Sequence, residues 1–199
     1  MGSSAVLDFL GRVRTGKQDV NLLIVSDSTA AMTGSWAKQL GGALRILFPT
    51  HTVVTRSFAD GTPGSYSVTE TLTGSGPRTI NVWIGAVAGK TWQYHWDISR
   101  REVMLGATNP DLVMFSLGYN ENSALADAGN MAGLRGKALA HLEPMRELFP
   151  QAGVVLLSQG PMLNYPSASE NFADMYRRIA QVRGYGFIDV NAAFPTGVR

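Results

Sequence analysis

The 199-residue chain contains no cysteine. That excludes a disulfide framework, thiolate metal sites and a cysteine nucleophile, and it leaves the compartment open. Histidine is scarce as well, with three in the whole chain, too few for a His-rich metal cluster. Charge is thin: Asp, Glu, Lys and Arg make up 16% of residues and the net charge is +2. The basic residues are scattered, with only Arg100-Arg101 and Arg177-Arg178 adjacent, so no basic surface for nucleic acid is expected. No apolar run approaches the ~18 residues that span a membrane. The N-terminus, Met1-Gly2-Ser3-Ser4, carries no basic residue before its short apolar stretch, unlike a signal peptide. Val6 stands where myristoylation of Gly2 would need Ser or Thr.

What the chain does have is enough length and apolar content for a sizeable core, 45% hydrophobic residues in one domain covering 1–199. Residues 1–19 form a lead-in. Asn21–Val25 is a short apolar run ending in Ser26-Asp27-Ser28, the pattern of a strand buried on both faces. Residues 32–48 carry apolar side chains at helical spacing and stop at Pro49. His51–Thr55 is β-branched. Two alternating runs, Ser67–Thr73 and Thr79–Ile84, flank Gly74-Ser75-Gly76-Pro77 and predict a β-hairpin insertion over 65–84. Further strands are expected at 112–117, 153–158 and 185–190. Helices are expected at 97–105, 128–149 and 169–182. Strands alternating with helices of this length predict an α/β fold. Its form is three-layer α/β/α, a flavodoxin-like, doubly wound, parallel five-stranded sheet. In such sheets ligands bind beyond the carboxyl ends of the strands.

Three of those ends hold residues suited to acyl chemistry. At Asp27-Ser28, a serine on a strand-to-helix turn offers a hydroxyl and its own N–H to one reacting carbonyl. The same pair would equally serve as a helix cap. The Asn of Gly118-Tyr119-Asn120-Glu121 can donate to an oxyanion without bringing a charge. Gly and Asn also suit an ordinary turn. Gly85-Ala86-Val87-Ala88-Gly89 can present a backbone N–H, or be a plain connector.

Taken together and in order, these blocks resemble the SGNH, or GDSL-type, serine hydrolases over residues 20–194. The resemblance implies Ser28 as nucleophile, with Ser26 where the family has Gly. It implies an oxyanion hole from Ser28, Gly89 and Asn120. Asp27, Tyr119 and Glu121 would border the substrate, Glu121 standing where the family has Asp. No metal or organic cofactor is implied. The substrate would be an ester, an acyl or acetyl group on a carbohydrate or lipid. The family's last block, Asp-x-x-His, is not matched: Asp189 is followed by Val190, Asn191 and Ala192. Asp189 is read as structural. His51 sits at the wrong end of its strand, His141 lies mid-helix, and His95 lies on the active face among Trp92, Tyr94 and Trp96. The base is therefore expected from a further chain segment or another subunit.

Two rival readings stay open. One is a catalytically inactive SGNH-fold module, structural or glycan-binding, as in a phage virion or a cell-wall-associated protein. Synthesis would be cytoplasmic in either case, with a virion or cell-surface destination for the module. The other is a phosphate binder using the Ser26–Thr29 turn, although no Gly-x-Gly-x-x-Gly or Walker A motif follows the first strand.

Overall fold

A computed structural model describes residues 4–61, 63–106 and 108–194. Helix α1 (Ser4–Thr15) leads into β1 (Val20–Ser26), α2 (Ser28–Ala31) and α3 (Trp36–Leu47). Then come β2 (Thr52–Ala59), β3 (Ser65–Leu72), β4 (Thr79–Ala86), a 3₁₀ turn (Trp92–Trp96) and α4 (Ile98–Arg101). The remainder is β5 (Leu112–Ser116), α5 (Ser123–Asp127), α6 (Met131–Leu148), β6 (Gly153–Leu157), α7 (Pro166–Arg183) and β7 (Gly186–Ile188).

The strands form one sheet in the order β3-β2-β4-β1-β5-β6-β7. All neighbours pair in parallel except β2 and β3. The period of two along β1 explains the three layers. Leu22 and Ile24 point into a core with Phe9 and Val13 of α1 and Ala37 and Leu44 of α3. Leu23 and Val25 point the other way, against Leu134, Ala138 and Leu142 of α6 and Phe172 and Tyr176 of α7. An apolar residue at every position of the run is what a strand covered on both faces requires.

The α/β/α architecture is as expected, with two corrections. The sheet has seven strands, not five. The hairpin expected over 65–84 does not form: β3 pairs antiparallel with β2, while β4 lies between β2 and β1 and runs parallel to both. The side chains give the reason. Ile80, Val82 and Ile84 need burial and find it in the sheet centre. β3 has Ser, Thr or Glu at five of its eight positions, is largely exposed and stays at the edge. The Gly74–Pro77 segment is no tight turn. It returns beside the residues before β2, with Ser75 N–H donating to Pro49 O (3.2 Å) and Gly76 N–H to Thr50 O (2.8 Å). The close approach requires glycine, since a Cβ on Gly74 would meet the His51 backbone.

The lead-in is also more than a tail. Helix α1 buries Phe9 and Val13, and Arg12 reaches Asp111 at 2.7 Å. The helix expected at 32–48 is α3, which starts at Trp36, and that at 128–149 is α6; the short α2 and α5 precede them. Among the described residues, no helix is long and apolar enough to cross a membrane.

Candidate active site

Three central strands end level. Ser26 is in register with Ala86 of β4 on one side and Ser116 of β5 on the other. The turns that follow, at 27–29, 87–91 and 117–121, are therefore neighbours in space. Ser26, in place of glycine, is fully buried and donates its hydroxyl to Ser116 O at 2.7 Å. The extra side chain is thus absorbed as a tie between β1 and β5.

Asp27 caps α2, accepting the Thr29 N–H at 2.9 Å. Its carboxyl is fully buried. Burial pushes its pKa above the ordinary range, opposed by Thr29 and the Tyr119 backbone. Ser28 opens α2 and is half-buried. Among the described residues, nothing hydrogen-bonds its hydroxyl. Thr29 donates to Gln159 Oε1 (3.4 Å), and Gln159 Nε2 donates to Ser116 Oγ (3.3 Å). The serine turn is thereby linked to the ends of β5 and β6. The sequence pattern alone assigns Gln159 no role. A buried amide at such an end needs two partners, and that need is the signal.

Asn120 is half-buried, and its Nδ2 donates to Lys90 O at 3.1 Å. One amide hydrogen is used, which leaves the second N–H for another acceptor. The bond joins the loop of Gly89 to the loop of Asn120. Both loops depend on glycine. Gly89 has φ +72° and Gly118 φ +144°, where a side chain is strained. Tyr119 is 45% exposed beside them.

The structure thus brings together the turns of Ser28, Gly89 and Asn120. Asp27 and Glu121, expected to border the substrate, turn carboxylate oxygens to the Thr29 and Trp92 N–H groups. Both carboxylates face inward because backbone N–H groups need them there. Glu121 is 8% exposed and accepts the Trp92 N–H at 2.5 Å. Burial raises its pKa, opposed first by that Trp92 bond and then by Lys137.

None of the three imidazoles hydrogen-bonds Ser28 among the described residues. His51 lies just before β2, at the far ends of the strands, against Phe48. His95 is buried, its ring 5.1 Å from that of His141 and 5.4 Å from Tyr94. Burial lowers its pKa to about 4, only partly offset by the backbone of Gly85 and Trp92. His141 is also buried and pushed well below the ordinary value by burial and by His95. Asp189 accepts Ser158 Oγ (3.2 Å), Ala192 N–H (3.0 Å) and Arg177 (2.7 Å). Trp92 and Tyr94 are core residues, as are Met145 and Met175, while Met114 is half-buried. The side chain of Trp96 lies outside the described residues.

No protein-family model matches the chain. No curated protein matches it. Solved structures do. A peptidoglycan O-acetylesterase superposes with a TM-score of 0.67 at 14% identity, covering 96% of this chain and 84% of that one. A two-domain esterase active on acetylated mannans gives a TM-score of 0.64 at 14% identity, covering 96% of this chain and 42% of its own. An SGNH-hydrolase family esterase gives 0.53 at 18% identity, covering 86% and 76% respectively. At such identities the likeness is one of fold. The helices flanking a mostly parallel sheet are consistent with the SGNH hydrolase fold.

Proposed function

We propose that residues 1–199 form one SGNH-type esterase domain that removes an acyl group, most simply acetyl, from a carbohydrate. Ser28 Oγ attacks the ester carbonyl carbon as its proton passes to a base. The carbonyl oxygen becomes an oxyanion, held by the N–H groups of Ser28 and Gly89 and by the free N–H of Asn120. The tetrahedral adduct collapses, and the sugar hydroxyl leaves with the proton from the base. Water then attacks the acyl-Ser28 ester as the base takes its proton; the base returns that proton to Ser28 Oγ, and the carboxylic acid departs. Tyr119 borders the substrate. The base is a histidine from outside the described residues, carried by a further segment or another chain.

The observation that carries this reading is the Asn120 Nδ2 bond to Lys90 O at the level ends of three strands. It ties the Asn120 loop to the loop of Gly89, and both loops follow strands that end level with the one leading to Ser28. The solved relatives that act on acetylated peptidoglycan and mannan support the choice of leaving group. A second reading, a non-catalytic glycan-binding module within a larger assembly, is favoured by the burial of His95 and His141 away from the serine.

Fluorophosphonate labelling separates the two. The esterase reading expects labelling of wild type but not of Ser28→Ala, and acetate release from an O-acetylated glycan. Wild type that is folded, and that fails to label even with imidazole or a histidine-bearing partner supplied, overturns it in favour of the module.

A further inference from the structure

Glu121 costs the fold something. Among the described residues no cation pairs with this buried carboxylate, and such a group persists only where strong hydrogen bonds hold it. The partner here is the backbone of Trp92, whose N–H meets Oε1 at 2.5 Å. Trp92 is itself fixed from its other end. Its indole Nε1 donates to Tyr176 Oη at 3.1 Å, and Tyr176 Oη donates to Leu117 O at 2.5 Å. Trp92 and Tyr176 are both fully buried. The segment 117–121 is closed on itself by Glu121 N–H donating to Gly118 O at 3.1 Å. Two loops are thus sewn together from below, by Glu121 at one point and by Tyr176 at another. Above that seam lie Gly89, three residues before Trp92, and Asn120, next to Glu121.

The only other hydrogen bond between these loops, among the described residues, is made by Asn120 itself, to Lys90 O. Without the seam, the group that must present an N–H to the oxyanion would also have to hold the loop of its partner donor in place. An oxyanion hole works only when its donors are fixed in advance, since a donor that must reorganise loses most of its value. We propose that Glu121 is a positioning residue whose grip on the Trp92 N–H sets the separation of the Gly89 N–H from the Asn120 amide. The use of those donors rests on the esterase reading above; the geometric claim does not.

The test uses the whole chain with three substitutions, Glu121→Ala, Glu121→Asp and Glu121→Gln. Gln keeps an oxygen at the same reach, Asp withdraws it by one methylene, and Ala removes it. Two readouts are taken: amide exchange at Trp92, and the side-chain NH₂ resonances of Asn120. In Ala and Asp we expect Trp92 exchange faster by about 100-fold and a moved Asn120 pair, with Gln close to wild type. In the active assembly, Ala and Asp lower kcat for acetyl-ester hydrolysis by roughly 100-fold, the scale of one oxyanion donor. KM holds, and Gln recovers most of the loss. If Ala does not fold, Asp decides. A folded Asp variant with wild-type Trp92 exchange and an unmoved Asn120 overturns the proposal. So does a loss of kcat that Gln fails to recover, since packing alone would then explain it. If wild type shows no activity, the esterase reading falls and the exchange and Asn120 resonances still judge the seam.

Discussion

The two halves of the sheet's carboxyl edge are built to different ends. At β4, β1 and β5 the turns bond to one another, yet each keeps a group unspent: the Ser28 hydroxyl, one N–H of Asn120, and the positive-φ turn of Gly89. At β6 and β7 most of the polar groups consume each other, Asn191 Oδ1 excepted. Ser158 donates to Asp189 and accepts from Asn191 N–H, and Asp189 also takes Ala192 N–H and Arg177. A site that will bind a developing charge must hold donors without satisfying them. A strand end that only terminates a sheet satisfies everything it can. On the esterase proposal, chemistry falls to the first half and closure of the fold to the second.

The sharpest way to break the comparison is at the nucleophile. Ser28→Ala should abolish fluorophosphonate labelling and leave the thermal midpoint nearly unchanged, because the hydroxyl holds nothing in the fold. Persistent labelling would place the reactive serine elsewhere. Asn120→Ala comes next. Losing one oxyanion donor costs on the order of 10²–10³ in kcat, or about 3–4 kcal/mol of transition-state stabilisation. The loss should appear in kcat for an acetyl ester. A variant within a factor of three of wild type would remove Asn120 from the oxyanion hole.

This division was partly legible before any coordinates. Ser26-Asp27-Ser28 and Gly118–Glu121 stand out by their order at successive strand ends, since each alone also suits a cap or a turn. What the residues could not state was direction. Glu121 beside Asn120 reads as a site residue by adjacency, but its side chain follows the Trp92 N–H into the core. The same limit misplaced β4. Ile80, Val82 and Ile84 alternate in Thr79–Ala86 much as the apolar residues do in an exposed hairpin, and nothing local says which neighbour the strand will choose. That choice is settled by non-local burial between β2 and β1. A seam residue such as Tyr176 is illegible for the same reason, since its carbonyl partner lies 59 residues away.

The imidazoles sharpen the comparison from a third direction. If His95 is a core residue and no base, it betrays itself in stability. Its pKa falls from an ordinary value of 6.5 to about 4 on folding. Between those limits the unfolded chain binds the proton first, so stability is lost as pH drops from 6.5 toward 4, and nothing changes above 6.5. Two and a half units at ~1.36 kcal/mol each give roughly 3 kcal/mol for this one group. His141 acts in the same sense. Asp27 and Glu121, with raised pKa values, act in the opposite sense and mask part of the slope. The measurement is therefore a difference: urea unfolding of wild type against His95→Leu at pH 7 and pH 4.5. The gap should close, or reverse, on acidification. A gap that does not move with pH would show that His95 is not held neutral in the core.

The smallest effect tests the closed half directly. Asp189 is the residue that a search for an acid to orient a histidine would pick first. Its pair with Arg177 is well exposed, with side-chain exposures of 42% for Arg177 and 26% for Asp189, and such pairs contribute about 0–1 kcal/mol. Asp189→Asn keeps an oxygen for Ser158 and Ala192 and removes only the charge. It should lower stability by less than about 1 kcal/mol and leave hydrolysis in the complete assembly unchanged. An aspartate that orients a catalytic histidine behaves otherwise, because the same change fixes the wrong tautomer and costs about 10⁴ in kcat. The two roles differ by four orders of magnitude in one assay. A large loss in Asp189→Asn would move the base to the β6–β7 edge and erase the distinction between the two halves.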